Sequence, residues 1–177
     1  MQSEAGWQRI LAKKSILRLL KSPSSIFALL LVPFTVSLIF TTPRASGAPG
    51  AALLSGAQID LRVRQALERA CRDCHSDATR YPWYSYVPPL SWLISSDVNR
   101  GRRHLNFSRW SEYSIIRRER ALSEIANQVK DGGMPLFSYV LIHREARLSE
   151  ADTEAIFQWT QAERRRLIMK NIQEESH

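Results

Sequence analysis

The chain has 177 residues, 44% of them hydrophobic and 24% charged. These proportions fit one globular domain and exclude a disordered chain or a long multi-domain enzyme. Only two cysteines occur, Cys71 and Cys74, which excludes the disulfide framework of small secreted domains. The formal net charge is +8, but Arg9, Lys13, Lys14, Arg18, Lys21 and Arg44 all precede residue 49, where Glu4 is the single acid. The rest of the chain keeps 19 basic and 16 acidic groups, a net +3. With the positive charge concentrated at one end, and with no zinc-finger pattern or basic strip interleaved with stacking aromatics, nucleic-acid binding is excluded.

Residues 1–25 form a basic N-region. Ile26 to Phe40 then runs for fifteen residues with only Pro33, Thr35 and Ser37 among apolar side chains, and no charge falls between Lys21 and Arg44. The segment 26–42 reads as a cleaved signal or a retained membrane anchor, at the upper length of the first and just below that of the second. In both cases the basic flank stays in the cytoplasm and the chain beyond about residue 45 lies outside, in the periplasm or extracytoplasmic space. Residues 43–57, rich in Pro, Gly, Ala and Ser, read as a flexible tether.

The domain proper is expected over 58–170. Ile59, Val63, Ala66, Leu67, Ala70 and Cys74 recur at helical spacing and predict a helix ending near Cys71. Tyr81 to Pro89 packs three prolines among aromatics and predicts an extended loop. Leu90 to Arg103 can form a second helix. Ile115, Leu122, Ile125, Ala126 and Val129 line a third, with Gly132 where a stop belongs. Ser138 to His143 could be extended. Ser149 and Asp152 have the spacing of a capping box for a fourth helix, whose stripe runs through Ile156, Trp159, Ala162 and Arg166, with Arg164 to Arg166 near its C-terminus. The domain is predicted to be all-α with long loops.

Cys71-Arg72-Asp73-Cys74-His75 is a C-x-x-C-H, the attachment signature of c-type haem. Two thiols one helical turn apart can reach the two vinyl groups of one porphyrin, and the adjacent imidazole then falls beneath the iron. The competing readings are a redox dithiol, which wants a strand before the motif, and zinc, which needs two further ligands from His75, His104 and His143. For the second axial position Met134 is the best candidate, set in a Gly-Gly-Met-Pro turn where glycine allows close approach and Pro135 stiffens the loop. Met134 as core filler is the plain alternative. His143 is the runner-up ligand, and His104, among Arg102, Arg103 and Asn106, comes third. A thioether raises the reduction potential relative to bis-histidine ligation. The ring nitrogen of His75 that does not face iron needs an orienting partner, for which a backbone carbonyl is the expectation. Tyr81, Trp83, Tyr84, Tyr86 and Trp92 could wall a haem edge, with Arg80 or Arg100 meeting its propionates, and Arg117 to Arg120 could dock a redox partner or simply face solvent.

The motif followed by Ser76, Thr79, Pro82-Trp83-Tyr84-Ser85, Pro89, Ser91-Trp92-Leu93-Ile94, Asp97-Val98, Gly101-Arg102 and Leu105-Asn106-Phe107-Ser108-x-Trp110 resembles the haem-binding domain family of bacterial c-type cytochromes. The resemblance continues through Met134-Pro135, Tyr139, His143, Leu148-Ser149 and Trp159, over roughly residues 59–160. It implies a cytochrome-c-like helical fold with one covalent haem c per chain. Cys71 and Cys74 would be the thioether positions, His75 the proximal iron ligand and Met134 the distal one. The expected function is a monohaem carrier of single electrons between redox protein partners at the outer face of a bacterial cytoplasmic membrane, more an electron carrier than an enzyme. The alternative is a haem enzyme or sensor for peroxide or a diatomic gas with an open sixth position.

Overall fold

The computed structural model describes residues 23–40 and 53–176. The basic N-region up to residue 22, the last two residues of the 26–42 segment and the first part of the expected tether, 43–52, lie outside the described residues. Helix α1 (Pro23–Phe40) carries the apolar segment over 18 residues with Pro33 inside it. Eighteen residues rise about 27 Å, against a hydrocarbon core of about 30 Å. Among the described residues no helix is long and apolar enough to cross a membrane.

No strand occurs among the described residues, and the domain is all-α. Helix α2 (Leu61–Ala70) starts where the Asp60 carboxylate accepts the Val63 N–H at 2.9 Å, and it buries Val63, Ala66, Leu67 and Ala70, the stripe its spacing predicts. The four-residue α3 (Arg72–His75) follows directly. The proline-rich loop is not wholly extended, because Trp83–Tyr86 closes a 3₁₀ turn. Helix α4 (Leu90–His104) leads to a second 3₁₀ segment, Phe107–Glu112, that buries Phe107 and Trp110. Helix α5 (Ile115–Lys130) starts at the Ser114 hydroxyl and stops before Gly132, which takes the left-handed φ of +69°.

Three expectations are corrected beyond this point. The stretch that could be extended is the short helix α6 (Phe137–Ile142), opened by the Leu136 carbonyl, which accepts from Tyr139 and Val140. Helix α7 (Glu150–Glu175) does have the Ser149–Asp152 capping box, but it runs past residue 170. Arg164 to Arg166 therefore sit in mid-helix, and their charge is answered by carboxylates rather than by the helix end: Arg164 pairs with Glu119 at 2.6 Å and Arg166 with the buried Glu163 at 2.5 Å. The buried face of α7 passes through Ile156, Trp159, Thr160, Glu163 and Leu167, leaving Ala162 exposed.

The core lies where α5 runs along α7 and α2 meets α7. Leu122, Ile125, Ile156, Leu167, Val63, Leu67, Phe107 and Trp110 fill it. Leu53 and Leu54, which composition places in the tether, belong to this core. The Leu54 N–H donates to the Phe107 carbonyl at 3.0 Å, so the packed domain includes the last residues of the expected linker.

Candidate functional site

Cys71 ends α2 and Cys74 and His75 lie on α3, so the motif is one turn of helix pressed against α4. The contact needs Gly101. A Cβ there would stand 2.5 Å from the Cys74 carbonyl oxygen, closer than any packed carbon and oxygen.

Side chains hold this turn from several directions. The Asp73 carbonyl accepts from the Thr79 hydroxyl at 2.5 Å, and its carboxylate accepts the Tyr139 hydroxyl at 2.9 Å and pairs with Arg80 at 3.4 Å. Arg102 donates to the Ser76 carbonyl and to the Thr79 hydroxyl, each at 2.8 Å. Buried Asn106 donates to Asp77 at 2.8 Å and accepts the Ser108 N–H at 3.0 Å, while its own N–H donates to the Tyr113 hydroxyl at 2.9 Å.

The His75 ring is fixed by the Leu105 carbonyl, 3.0 Å from Nδ1, and lies beside Phe107 with ring centroids 5.9 Å apart. A carbonyl only accepts, so Nδ1 carries the proton and the lone pair falls on Nε2. Burial lowers the His75 pKa, opposed by its backbone hydrogen bonds, which favours the neutral imidazole a metal ligand requires. Burial pushes the Cys71 thiol up to about 12, helped by Cys74, and the Cys74 thiol up to about 11, helped by Asp73 and Asp97. A redox dithiol needs the opposite shift, and α2, not a strand, precedes the motif. Among the described residues no group of three or more His, Cys, Asp and Glu is placed to hold a metal ion, so the tetrahedral zinc set is not formed.

A cavity of about 580 Å³ opens beside the motif, within the range of small-molecule and cofactor sites. Cys71, Cys74 and His75 line it from one side of the chain fold, with Leu105 and Phe107, and Ile125, Val129, Met134, Leu136 and Tyr139 line it from α5, α6 and the loop between them. The four residues singled out in the sequence, Cys71, Cys74, His75 and Met134, thus share one wall system. Met134 is half-buried, its N–H donating to the Gln128 carbonyl at 3.1 Å. Arg100 and His104 also line the cavity, beside Asp97, Glu124 and Gln128.

Other candidates lie elsewhere. His143 is not on the cavity wall: its Nε2 is 2.9 Å from the Tyr84 hydroxyl and its ring stacks on Tyr139 with centroids 4.2 Å apart. Tyr81, Trp83, Tyr84, Tyr86 and Trp92 do not line the cavity; the Phe and Tyr rings that do are Phe107 and Tyr139, 32 and 64 residues beyond His75. Arg80 is taken by Asp73. Arg118 is spent on the Trp110 and Ser111 carbonyls, Arg117 lies over the Tyr113 ring and Glu119 pairs with Arg164, so the Arg117–Arg120 run is largely structural. Leu105 carries no side-chain signal for its role, because it acts through its carbonyl.

A family model for a haem-binding domain matches residues 35–162. No curated protein and no solved structure matches the chain.

Proposed function

The chain belongs to the haem-binding domain family, and from that premise we propose that it is a monohaem c-type cytochrome that carries single electrons at the outer face of a bacterial cytoplasmic membrane. The observation that carries this reading is the convergence on one apolar cavity of two thiols, an imidazole whose Nδ1 is occupied by the Leu105 carbonyl, and a thioether. This donor set fits haem: Cys71 and Cys74 would hold it covalently as thioethers at its two vinyl groups. His75 Nε2 and Met134 Sδ would hold its iron. Haem, when bound, supplies a one-electron couple, and the protein supplies position, dielectric and ligand basicity.

The remaining roles fall to this chain's own residues. The Leu105 carbonyl keeps the His75 ring from turning and raises its basicity. Leu67, Phe107, Ile125 and Val129 exclude water from the cavity. Arg100 has no ion pair among the described residues, which suits it to a carboxylate of the bound group. The apolar segment from Ile26 holds the chain at the membrane, with the basic N-region on the cytoplasmic side. The electron donor and acceptor are other redox proteins.

Haem staining of the denatured chain, produced in cells that mature cytochromes c, tests the attachment. Haem stays on the wild-type chain and is absent from a Cys71→Ala, Cys74→Ala variant; an unstained wild-type chain overturns the reading. Met134→Ala opens the sixth position, lowers the potential and lets the reduced protein bind carbon monoxide. An unchanged spectrum and potential would remove Met134 from the iron, and rapid carbon monoxide binding by the wild type would favour a gas or peroxide site over a carrier.

A further inference from the structure

Two stretches of the domain carry no charged side chain, residues 81–96 and 132–142. The fold brings them together, since the Tyr84 hydroxyl of the first meets His143, the residue that ends the second, at 2.9 Å. Both expose large apolar side chains. Trp83 is 77% exposed and Phe137 74%, and Tyr86, Trp92, Leu93 and Leu141 are each more than two-fifths exposed. A run of this kind, with so little charge among it, is a surface that needs covering.

We propose that this face docks on the lipid surface of the membrane that holds the N-terminal segment, an inference that rests on the membrane attachment proposed above. Covalent reach supports the choice of occupant. Twelve residues, 41–52, separate the end of α1 from Leu53, and at no more than 3.6 Å each they span at most about 43 Å. A domain of this size is about 35 Å across, so the leash keeps it within about one diameter of the bilayer, where even a weak surface contact is populated through high effective concentration. Composition supports the same occupant. Trp and Tyr suit the headgroup layer, where a ring body is apolar and its N–H or O–H stays wet. A soluble protein partner is ordinarily steered and registered by charge, which these stretches lack, whereas a lipid surface requires no matching shape.

Docking has a consequence for the cavity. Tyr139 lies between Phe137 and Leu141 on α6 and lines the cavity wall, so seating α6 on lipid holds the cavity at one orientation to the bilayer.

The test is photo-crosslinking. Full-length, haem-loaded protein is reconstituted in phosphatidylethanolamine and phosphatidylglycerol vesicles containing a lipid with a photoactivatable group near the headgroup, and labelled peptides are mapped. Label is expected on peptides covering 83–93 and 137–142 as well as on α1. In a Trp83→Ser, Trp92→Ser variant, whose changes are at exposed positions, label on 83–93 falls to background while that on α1 persists. Label confined to α1 overturns the docking and leaves the tether standing. Absence of label from α1 overturns the tether, and the docking then stands or falls on whether 83–93 is labelled.

Discussion

The cavity has two unlike walls. The one bearing Cys71, Cys74 and His75 is tied by side-chain hydrogen bonds from Thr79, Arg102, Asn106 and Tyr139 and by close packing of Gly101. The one bearing Met134 is a short loop after α5, held at Met134 by a single backbone bond to Gln128. Apart from Thr79, the first wall is set by partners 26 to 66 positions away in sequence, the second by its immediate neighbours. A site built this way holds His75 firmly and leaves Met134 open to adjustment by local substitutions, which suits the proposed haem, whose potential would be tuned through the groups that hold it.

Substitutions at the two walls should differ accordingly. Gly101→Ala has the largest expected effect: alanine gains up to about 1 kcal/mol of helix propensity, but its Cβ must push α4 off the Cys74 backbone at a cost of about 3 kcal/mol. A net loss of about 2 kcal/mol should lower the denaturant midpoint and reduce haem incorporation; an unchanged midpoint would break the contrast. Asn106→Ala removes a buried amide and leaves the Ser108 N–H without its acceptor, with an expected loss of about 1–2 kcal/mol by chemical unfolding. The matching change on the other wall is the smallest. At Gly133 an added Cβ meets the end of the Gln128 side chain, and that side chain can swing away, so Gly133→Ala should alter stability by no more than about 0.5 kcal/mol while shifting the haem spectrum if Met134 moves. A Gly133→Ala loss as large as that of Gly101→Ala would show the two walls to be equally rigid.

Legibility in the sequence followed the range of the interaction. The α2 and α5 stripes, the Ser149 cap and the Gly132 stop depend on residues three or four apart, and the sequence shows each at its place. Cys71, Cys74, His75 and Met134, which line one cavity, stand out in the sequence for the same reason, the first three as a C-x-x-C-H and Met134 in a Gly-Gly-Met-Pro turn. The partners of the motif were not assignable from spacing, although Ser76, Thr79, Arg102, Asn106, Ser108 and Tyr139 all stand in the string that carries the family resemblance. Their roles needed the fold, since Tyr139 reaches Asp73 across 66 positions. The aromatics after the motif are close to it in sequence but not at the cavity. The chain turns away through Pro82 and the 3₁₀ turn, and α5 and α6 supply the facing wall instead. Residues 138–143 were ambiguous because an apolar run of six suits a strand as well as a short helix, and only the Leu136 carbonyl decides it.

The beginning of the packed domain is fastened to α7. The Trp159 indole N–H donates to the Gln58 carbonyl at 2.7 Å, Arg166 donates to the Gly56 carbonyl at 2.9 Å, and the Gln58 N–H reaches the Glu163 carboxylate at 3.4 Å. These three bonds lie between the tether and Asp60, where α2 and then the motif begin. A pull on the chain ahead of Leu53 would therefore be delivered to α7, the longest helix among the described residues, and the short turn that carries both thiols and the imidazole lies downstream of the clamp, out of the line of force.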